Sequence, residues 1–244
     1  FGQSVAVSSD GTTALIGALQ DEDPSGALAG SAYVFTESEG TWSQQQKLTA
    51  TDGDREDLYG ESVAVSSNGI TARRRRQAAR PTPTNSVAVS SDGTTALVGA
   101  LRDENPNGRL AGAAYVFTES GGTWSQQQKL AATDGDSEDL FGFSVAVSSD
   151  GTTALIGAPG DEDPNGPDAG SVYVFTESGG TWSQQQKLTA TDGDREDLFG
   201  ESVAVSSDGT TALIGASGDE DPNGDNTGSA YVFTSDDAAP GGGA

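Results

Sequence analysis

The pentapeptide Ser-Val-Ala-Val-Ser begins at Ser4, Ser62, Ser86, Ser144 and Ser202, so successive starts lie 58, 24, 58 and 58 residues apart. The chain is therefore written in copies of one 58-residue unit with a single irregular join, and one full unit runs from Phe141 to Leu198. A repeat of this length is one supersecondary module that cannot bury its apolar surface alone and must stack on its neighbours.

Within the unit the pattern predicts four strands: Ser144–Ser148, Thr153–Ala158, Ser171–Glu177 and Trp182–Ala190. Apolar or alternating runs are divided by Asp150-Gly151, by a long polar loop from Pro159 to Ala169, and by Gly179-Gly180. These are strand and hairpin signals, and nothing sustains a helical period. Three apolar strands followed by a polar one (Ser183, Gln184, Gln185, Gln186, Lys187) suit a sheet whose inner strands are covered on both faces and whose outermost strand meets water. The fold class expected is all-β, a β-propeller of four-stranded antiparallel blades. Sixteen strands give about four blades, incomplete or open. The expected divisions are a blade over 1–58, a truncated repeat over 59–84, blades over 85–140 and 141–198, a partial blade over 199–233, and a flexible linker over 234–244. The chain begins inside a repeat at Phe1-Gly2, so it reads as a fragment or a mis-started product, and its lack of an export signal is uninformative.

Phe141-Gly142, the Ser-Val-Ala-Val run, Gly157-Ala158-Pro159 and Gly170-Ser-Val-Tyr-Val-Phe175 resemble the FG-GAP repeat of integrin α chains and many microbial surface proteins. The resemblance covers nearly the whole chain and implies a propeller, a place outside the cell, and a role in binding or adhesion. Pro159 is the one proline in its slot; the other copies read Gly17-Ala18-Leu19, Gly99-Ala100-Leu101 and Gly215-Ala216-Ser217. Integrin propellers have seven blades, more than these repeats supply. Integrin calcium loops lie between the first two strands of a blade, where this chain has only Ser149-Asp150-Gly151-Thr152, so those ligands do not carry over.

Charge narrows the partners. There are 37 Asp and Glu against 12 Lys and Arg, a formal net charge of −25. Such a surface repels nucleic acid and anionic membranes, and no apolar run is long enough for a membrane span. Lysine occurs only at Lys47, Lys129 and Lys187, and an acidic, lysine-poor surface resembles that of proteins from salt-loving organisms. The basic run Arg73 to Arg76 falls in the irregular join, where Leu-Ile-Gly-Ala is due, and reads as an out-of-frame scar extending to Thr84 rather than a nucleic-acid motif.

Up-and-down topology places the long 2–3 loop and the connection to the next unit at the same end. Both are acidic, as in Asp161 to Gly166 and Asp192 to Asp197, so one rim should be densely anionic. The spacing of Asp161, Asp163 and Asn165 before Gly166 matches the opening of an oxygen-ligand cation loop, which makes calcium the candidate cofactor. Asp219, Asp221 and Asn223 match equally; Asp103, Asn105 and Asn107, and Asp21 with Asp23, match less well. Val172 stands where an EF-hand would have its bidentate Glu. The same residues also make an excellent β-turn, so turn alone and turn with cation both stand.

The chain has neither His nor Cys, its lysines sit among glutamines, and its carboxylates recur in every unit, so no enzyme is expected. Tyr33, Tyr115, Tyr173 and Tyr231, each with a Phe two residues on, suit packing between blades better than sugar stacking, and Trp42, Trp124 and Trp182 suit wedges between blades. Two functions remain: a surface module binding a protein or glycan, or a structural spacer of a halophile without a specific ligand. Oligomeric state is not readable.

Overall fold

The computed structural model describes residues 4–7, 13–18, 31–49, 64–65, 86–162, 166–219 and 228–235. Among these the chain is all-β, with no helix and hence none long and apolar enough to cross a membrane. The first sheet holds β1 (Ser4–Val7), β2 (Thr13–Ala18), β3 (Ser31–Ser38) and β4 (Thr41–Leu48) in sequence order. The second holds β5 (Ala64–Val65), β6 (Val87–Val89), β7 (Thr95–Ala100), β8 (Ala113–Ser120) and β9 (Thr123–Leu130). The third holds β10 (Ser144–Val147), β11 (Thr153–Ala158), β12 (Ser171–Ser178) and β13 (Thr181–Leu188). The fourth stops at three strands, β14 (Ser202–Val205), β15 (Thr211–Ala216) and β16 (Ser229–Thr234). Every pair is antiparallel except β5 with β6. No sheet closes on itself.

The parallel pair departs from the expected blade. β5 is the first strand of the truncated repeat, which lacks a described second strand, and it satisfies backbone groups along the edge of β6 instead. The arginine-rich residues 73–84 lie outside the described residues.

The two-residue alternation of a strand explains how the sheets stack. Val87 and Val89 enter one core with Val34 of the first sheet, while Ala88 between them enters the next core with Val145 and Val147 of the third. The third sheet likewise sends Ile156, Tyr173 and Phe175 one way and Leu155 and Val172 the other. Where no sheet adjoins, the same residue types lie open. Leu213 is 48% exposed whereas its counterpart Leu155 is 2% exposed, and Trp42 is 44% exposed whereas Trp182 is 3% exposed.

The short turns hold themselves. The Ser148 hydroxyl donates to Asp150 Oδ1 at 2.6 Å, and that oxygen also accepts the Thr152 N–H at 3.1 Å. Ser90 with Asp92 and Ser206 with Asp208 repeat the arrangement. Hydrogen bonding, first from Ser206, lowers the Asp208 carboxyl to about 2. These aspartates are thus turn formers.

The connection between sheets is placed by glycine. The Gly142 N–H donates to Gly157 O at 3.0 Å, while Gly142 O lies so close to Gly99 that a Cβ built on Gly99 would stand 2.0 Å from it. Gly200 repeats this between Gly157 and Gly215. The preceding Phe141 then packs on Tyr173 and Phe175, with centroids 5.4 and 6.1 Å away. The two glycine-bearing motifs of the repeat therefore meet backbone to backbone between sheets.

Candidate functional site

The long loops and the connections share one end of the sheets and are laced together. In the second unit the N–H groups of Glu138, Leu140 and Phe141 donate to the carbonyls of Arg109, Leu110 and Ala111 at 2.9 to 3.1 Å. In the third unit Glu196, Leu198 and Phe199 donate to Pro167, Asp168 and Ala169 over the same range. Each connection also accepts from the next loop, Gly160 N–H to Asp139 O at 3.1 Å and Gly218 N–H to Asp197 O at 3.0 Å. Among the described residues, loop, connection and next loop are linked into one belt along the rim. Leu110, Glu138, Leu140, Asp168, Glu196 and Leu198 all have positive φ, between 56° and 77°. Each costs on the order of 1 kcal/mol, so the belt's hydrogen bonds hold a shape the residues would not choose alone.

Beneath the belt lies a polar cluster built from two strands, a loop and a connection. The Tyr173 hydroxyl on β12 donates to Asp161 Oδ2 at 2.6 Å. Lys187 Nζ on β13 lies 2.8 Å from Asp161 Oδ2 and 3.0 Å from Asp134 Oδ2, and 5.4 Å from the Tyr173 ring centroid. Burial disfavours the Lys187 ammonium, but its bonds to Asp161 and Asp134 outweigh this and hold its pKa above the ordinary value. Burial also works against ionised Asp134, and Lys187 outweighs it there too, lowering that carboxyl. Burial and then the Asp161 bond push the Tyr173 hydroxyl well above its usual range. The second unit has the same cluster: Tyr115 donates to Asp103 Oδ2 at 2.5 Å, and Lys129 Nζ lies 2.9 Å from Asp103 Oδ1. In the fourth, Tyr231 donates to Asp219 at 2.6 Å and to Asp192 at 3.0 Å.

The candidate cation ligands divide accordingly. Asp103, Asp161 and Asp219 are buried and aimed at a tyrosine. Asn105 uses Oδ1 to accept the Asn107 N–H at 2.8 Å and Nδ2 to donate to Gly112 O at 2.6 Å. Asn107 Nδ2 donates to Ala132 O at 2.8 Å, tying loop to connection. In the described loop, Asn105 thus holds the turn and Asn107 anchors it to the connection. Asp163, Asn165, Asp221, Asn223, Asp21 and Asp23 lie outside the described residues.

Sequence reading missed the lysines. Lys187, expected to be solvated, keeps only 24% of its side chain exposed. The available signal was a fixed offset: a tyrosine follows each loop aspartate by twelve residues, and a buried tyrosine hydroxyl needs a partner.

A second buried carboxyl gives the rim a pH response. Asp139 Oδ2 accepts the Asp136 N–H at 2.6 Å, and burial pushes its carboxyl up to about 6 from 3.8 despite that bond, aided by the charges of Asp161 and Asp136. Between those values the folded chain holds a proton that the unfolded chain has released. The stabilisation is full below pH 3.8 and is lost as pH rises through 6, a change of about 3 kcal/mol. Asp139→Asn is expected to raise stability at pH 7 by about 2 kcal/mol and to flatten this part of the profile. Urea unfolding at pH 4 to 7 and fixed ionic strength reads it; parallel profiles for the two chains would contradict the assignment.

A family model described as FG-GAP repeat matches residues 1–35, 42–72, 85–117, 124–175 and 182–233. No curated protein matches the chain. Among solved structures, TolB from Acinetobacter baumannii aligns at 14% identity with a TM-score of 0.43, over 95% of this chain and 43% of that one. The chain thus spans less than half of that relative.

Proposed function

Because the chain belongs to the FG-GAP repeat family, we propose that it is a non-enzymatic, propeller-type binding module, open and of about four blades, acting at a cell surface or after secretion. Its acidic rim is the surface that meets a protein or glycan ligand. The observation that carries this reading is a contrast between strands and rim. The outer strand is Thr-Trp-Ser-Gln-Gln-Gln-Lys-Leu in β4, β9 and β13 alike. At one equivalent rim site, by contrast, the chain has Arg109-Leu110 and then Pro167-Asp168, on backbone held in the same left-handed form at Leu110 and Asp168. A constant scaffold that presents varied side chains in a fixed geometry suits recognition better than spacing.

Weak calcium binding on this rim belongs to the same reading. Asp103 and Asp161 already face a lysine, whereas Asp219 and Asp192 share the Tyr231 hydroxyl in a sheet without the lysine-bearing strand. Calcium therefore favours the Asp219 loop, with an affinity typical of extracellular modules, about 10⁻⁴ to 10⁻³ M. A salt-tolerant origin suits the charge, since molar salt shortens the screening length to about 3 Å.

The test is a panel of glycans and surface proteins probed with the full chain at molar salt, with calcium or magnesium at equal ionic strength. Arg109→Ala/Asp168→Ala is expected to weaken capture by about tenfold, whereas Gly121→Ser, at the opposite end, leaves it intact. No capture anywhere on the panel, or equal loss from both ends, would favour the spacer. Equal behaviour in calcium and magnesium would reduce the loops to turns.

A further inference from the structure

Among the described residues the fourth sheet has three strands, and what surrounds its open edge specifies what fills it. In the other three sheets the third strand pairs with a fourth, as β12 does with β13 from Val172 opposite Leu188 to Ser178 opposite Thr181. Among the described residues the fourth sheet ends at β16. Residues 235–244 contain no tryptophan, glutamine or lysine, so the chain departs from the repeat where that strand is due. Val232 is 63% exposed, while its counterpart Val116 is fully buried.

Between the third and fourth sheets lies a cavity of about 200 Å³, lined by Leu155, Val174, Gln186, Leu188, Ala212 and Phe233. One gap earlier, Trp182 of β13 packs in a single core with Leu97, Val116, Leu130, Ala154 and Phe175. Adding 58 to each of those five numbers gives five of the six apolar residues lining the cavity, and the sixth, Val205, stands 58 after Val147 of the same earlier core. The backbone of Trp182 is clasped by Gln128, whose Oε1 accepts the Trp182 N–H at 2.9 Å and whose Nε2 donates to Trp182 O at 2.8 Å. Gln46 clasps Trp124 in the same way at 2.7 and 2.6 Å. Gln186 is the next glutamine in this series, and it lines the cavity.

At the rim end of the same gap, Asp219 and Asp192 converge on Tyr231 as Asp161 and Asp134 do on Tyr173. The ammonium of the fourth strand, Lys187 in the third sheet, bridges those earlier carboxylates. Tryptophan and lysine stand five residues apart in each of β4, β9 and β13.

From this juxtaposition we infer that the fourth sheet is a binding site for an extended segment of another polypeptide, taken up as an antiparallel fourth strand beside β16. The segment it selects has a tryptophan followed five residues later by a lysine. The indole fills the cavity while Gln186 clasps the backbone at the tryptophan, and the ammonium bridges Asp219 and Asp192. Strand addition supplies main-chain hydrogen bonds, and the two side-chain positions supply selectivity. The site meets the rim at Asp219 and Asp192, whereas Gln186 and the cavity lie off it, so loss at Gln186 distinguishes failure of this inference from failure of the rim reading.

The test titrates a labelled Thr-Trp-Ser-Gln-Gln-Gln-Lys-Leu peptide into the full chain by fluorescence polarisation, in chelator, because calcium would compete for the same carboxylates. Saturable binding is expected. It should weaken about tenfold or more when alanine replaces the peptide's tryptophan or glutamate its lysine, and likewise for Gln186→Ala or Asp219→Asn in the chain. Circular dichroism checks that both variants stay folded, and Gln127→Ala, outside the gap, should bind as the parent does. A scrambled peptide binding equally well, or variants matching the parent, would overturn the inference. So would self-association of the chain that the peptide fails to reverse, since the sheet face would then belong to a second copy.

Discussion

Gly157→Ala is expected to destabilise the chain by about 3 kcal/mol. A Cβ at this position on β11 would stand 2.1 Å from Gly200 O and 2.3 Å from Ser144 Oγ. The Ser144 hydroxyl could rotate away, although it would lose its 2.7 Å bond to Gly200 O. Gly200 itself has nowhere to go, because its N–H is bonded to Gly215 O on the far side. The new methyl must therefore push the third and fourth sheets apart along the core of Leu155, Val172, Phe199 and Ile214. Gly179→Ala is the control. Its φ is +62° with nothing within 4 Å of the added Cβ, so it carries only the left-handed conformational cost of about 1 kcal/mol. Urea unfolding of both variants separates crowding from conformation. Equal losses would mean that the glycine contact between sheets is not what the repeat preserves.

The contrast between those two glycines marks what the sequence could reveal. Strand positions were legible because strands obey local rules: Thr153–Ala158 is predicted and found with the same ends, and the Ser-Asp-Gly-Thr turns close as their residue types require. The turn of the long loop was legible, as at Asn105 to Gly108, where the Gly108 N–H donates to Asn105 O. Where the Asp161 carboxylate goes was not, because the Tyr173 hydroxyl and Lys187 that draw it inward come from two later strands. Lys187 reads as solvated among glutamines in the sequence, since Asp134 reaches it only across the stacking of two sheets. The glutamines of the outer strand read as water-facing, though Gln128 there binds the backbone of the next sheet's tryptophan. β5 was readable as a first strand, but its parallel partner was not, because pairing there follows from the missing remainder of its repeat. What escaped was in each case a contact between units, to which a period within one unit is blind.

The Lys187 cluster supplies the other large effect. Lys187→Met is expected to cost about 3 kcal/mol at pH 7, because it leaves the Asp161 carboxylate buried beside a tyrosine hydroxyl and without a cation. Asp161 has 4% of its side chain exposed, so water cannot take over the lysine's role, whereas Asp134, at 49%, is readily resolvated. Methionine keeps an unbranched stem near the Tyr173 ring, so the loss reports the charge rather than the packing. The double variant Asp161→Asn/Lys187→Met should recover most of the loss, since an amide oxygen still accepts from Tyr173 and no buried charge remains. Acid offers a second reading with a definite sign. In the parent, the lowered pKa of Asp134 contributes stability above 3.8 that is lost as pH falls through its folded value. In Lys187→Met that contribution disappears, so the variant should lose less stability than the parent as pH falls from 7 toward 4 and below. Guanidinium or urea unfolding at the two pH values, for all three variants and the parent, decides the matter. A double variant no more stable than Lys187→Met would place the cost in lost packing and remove the ion pair from the account of how the rim is held.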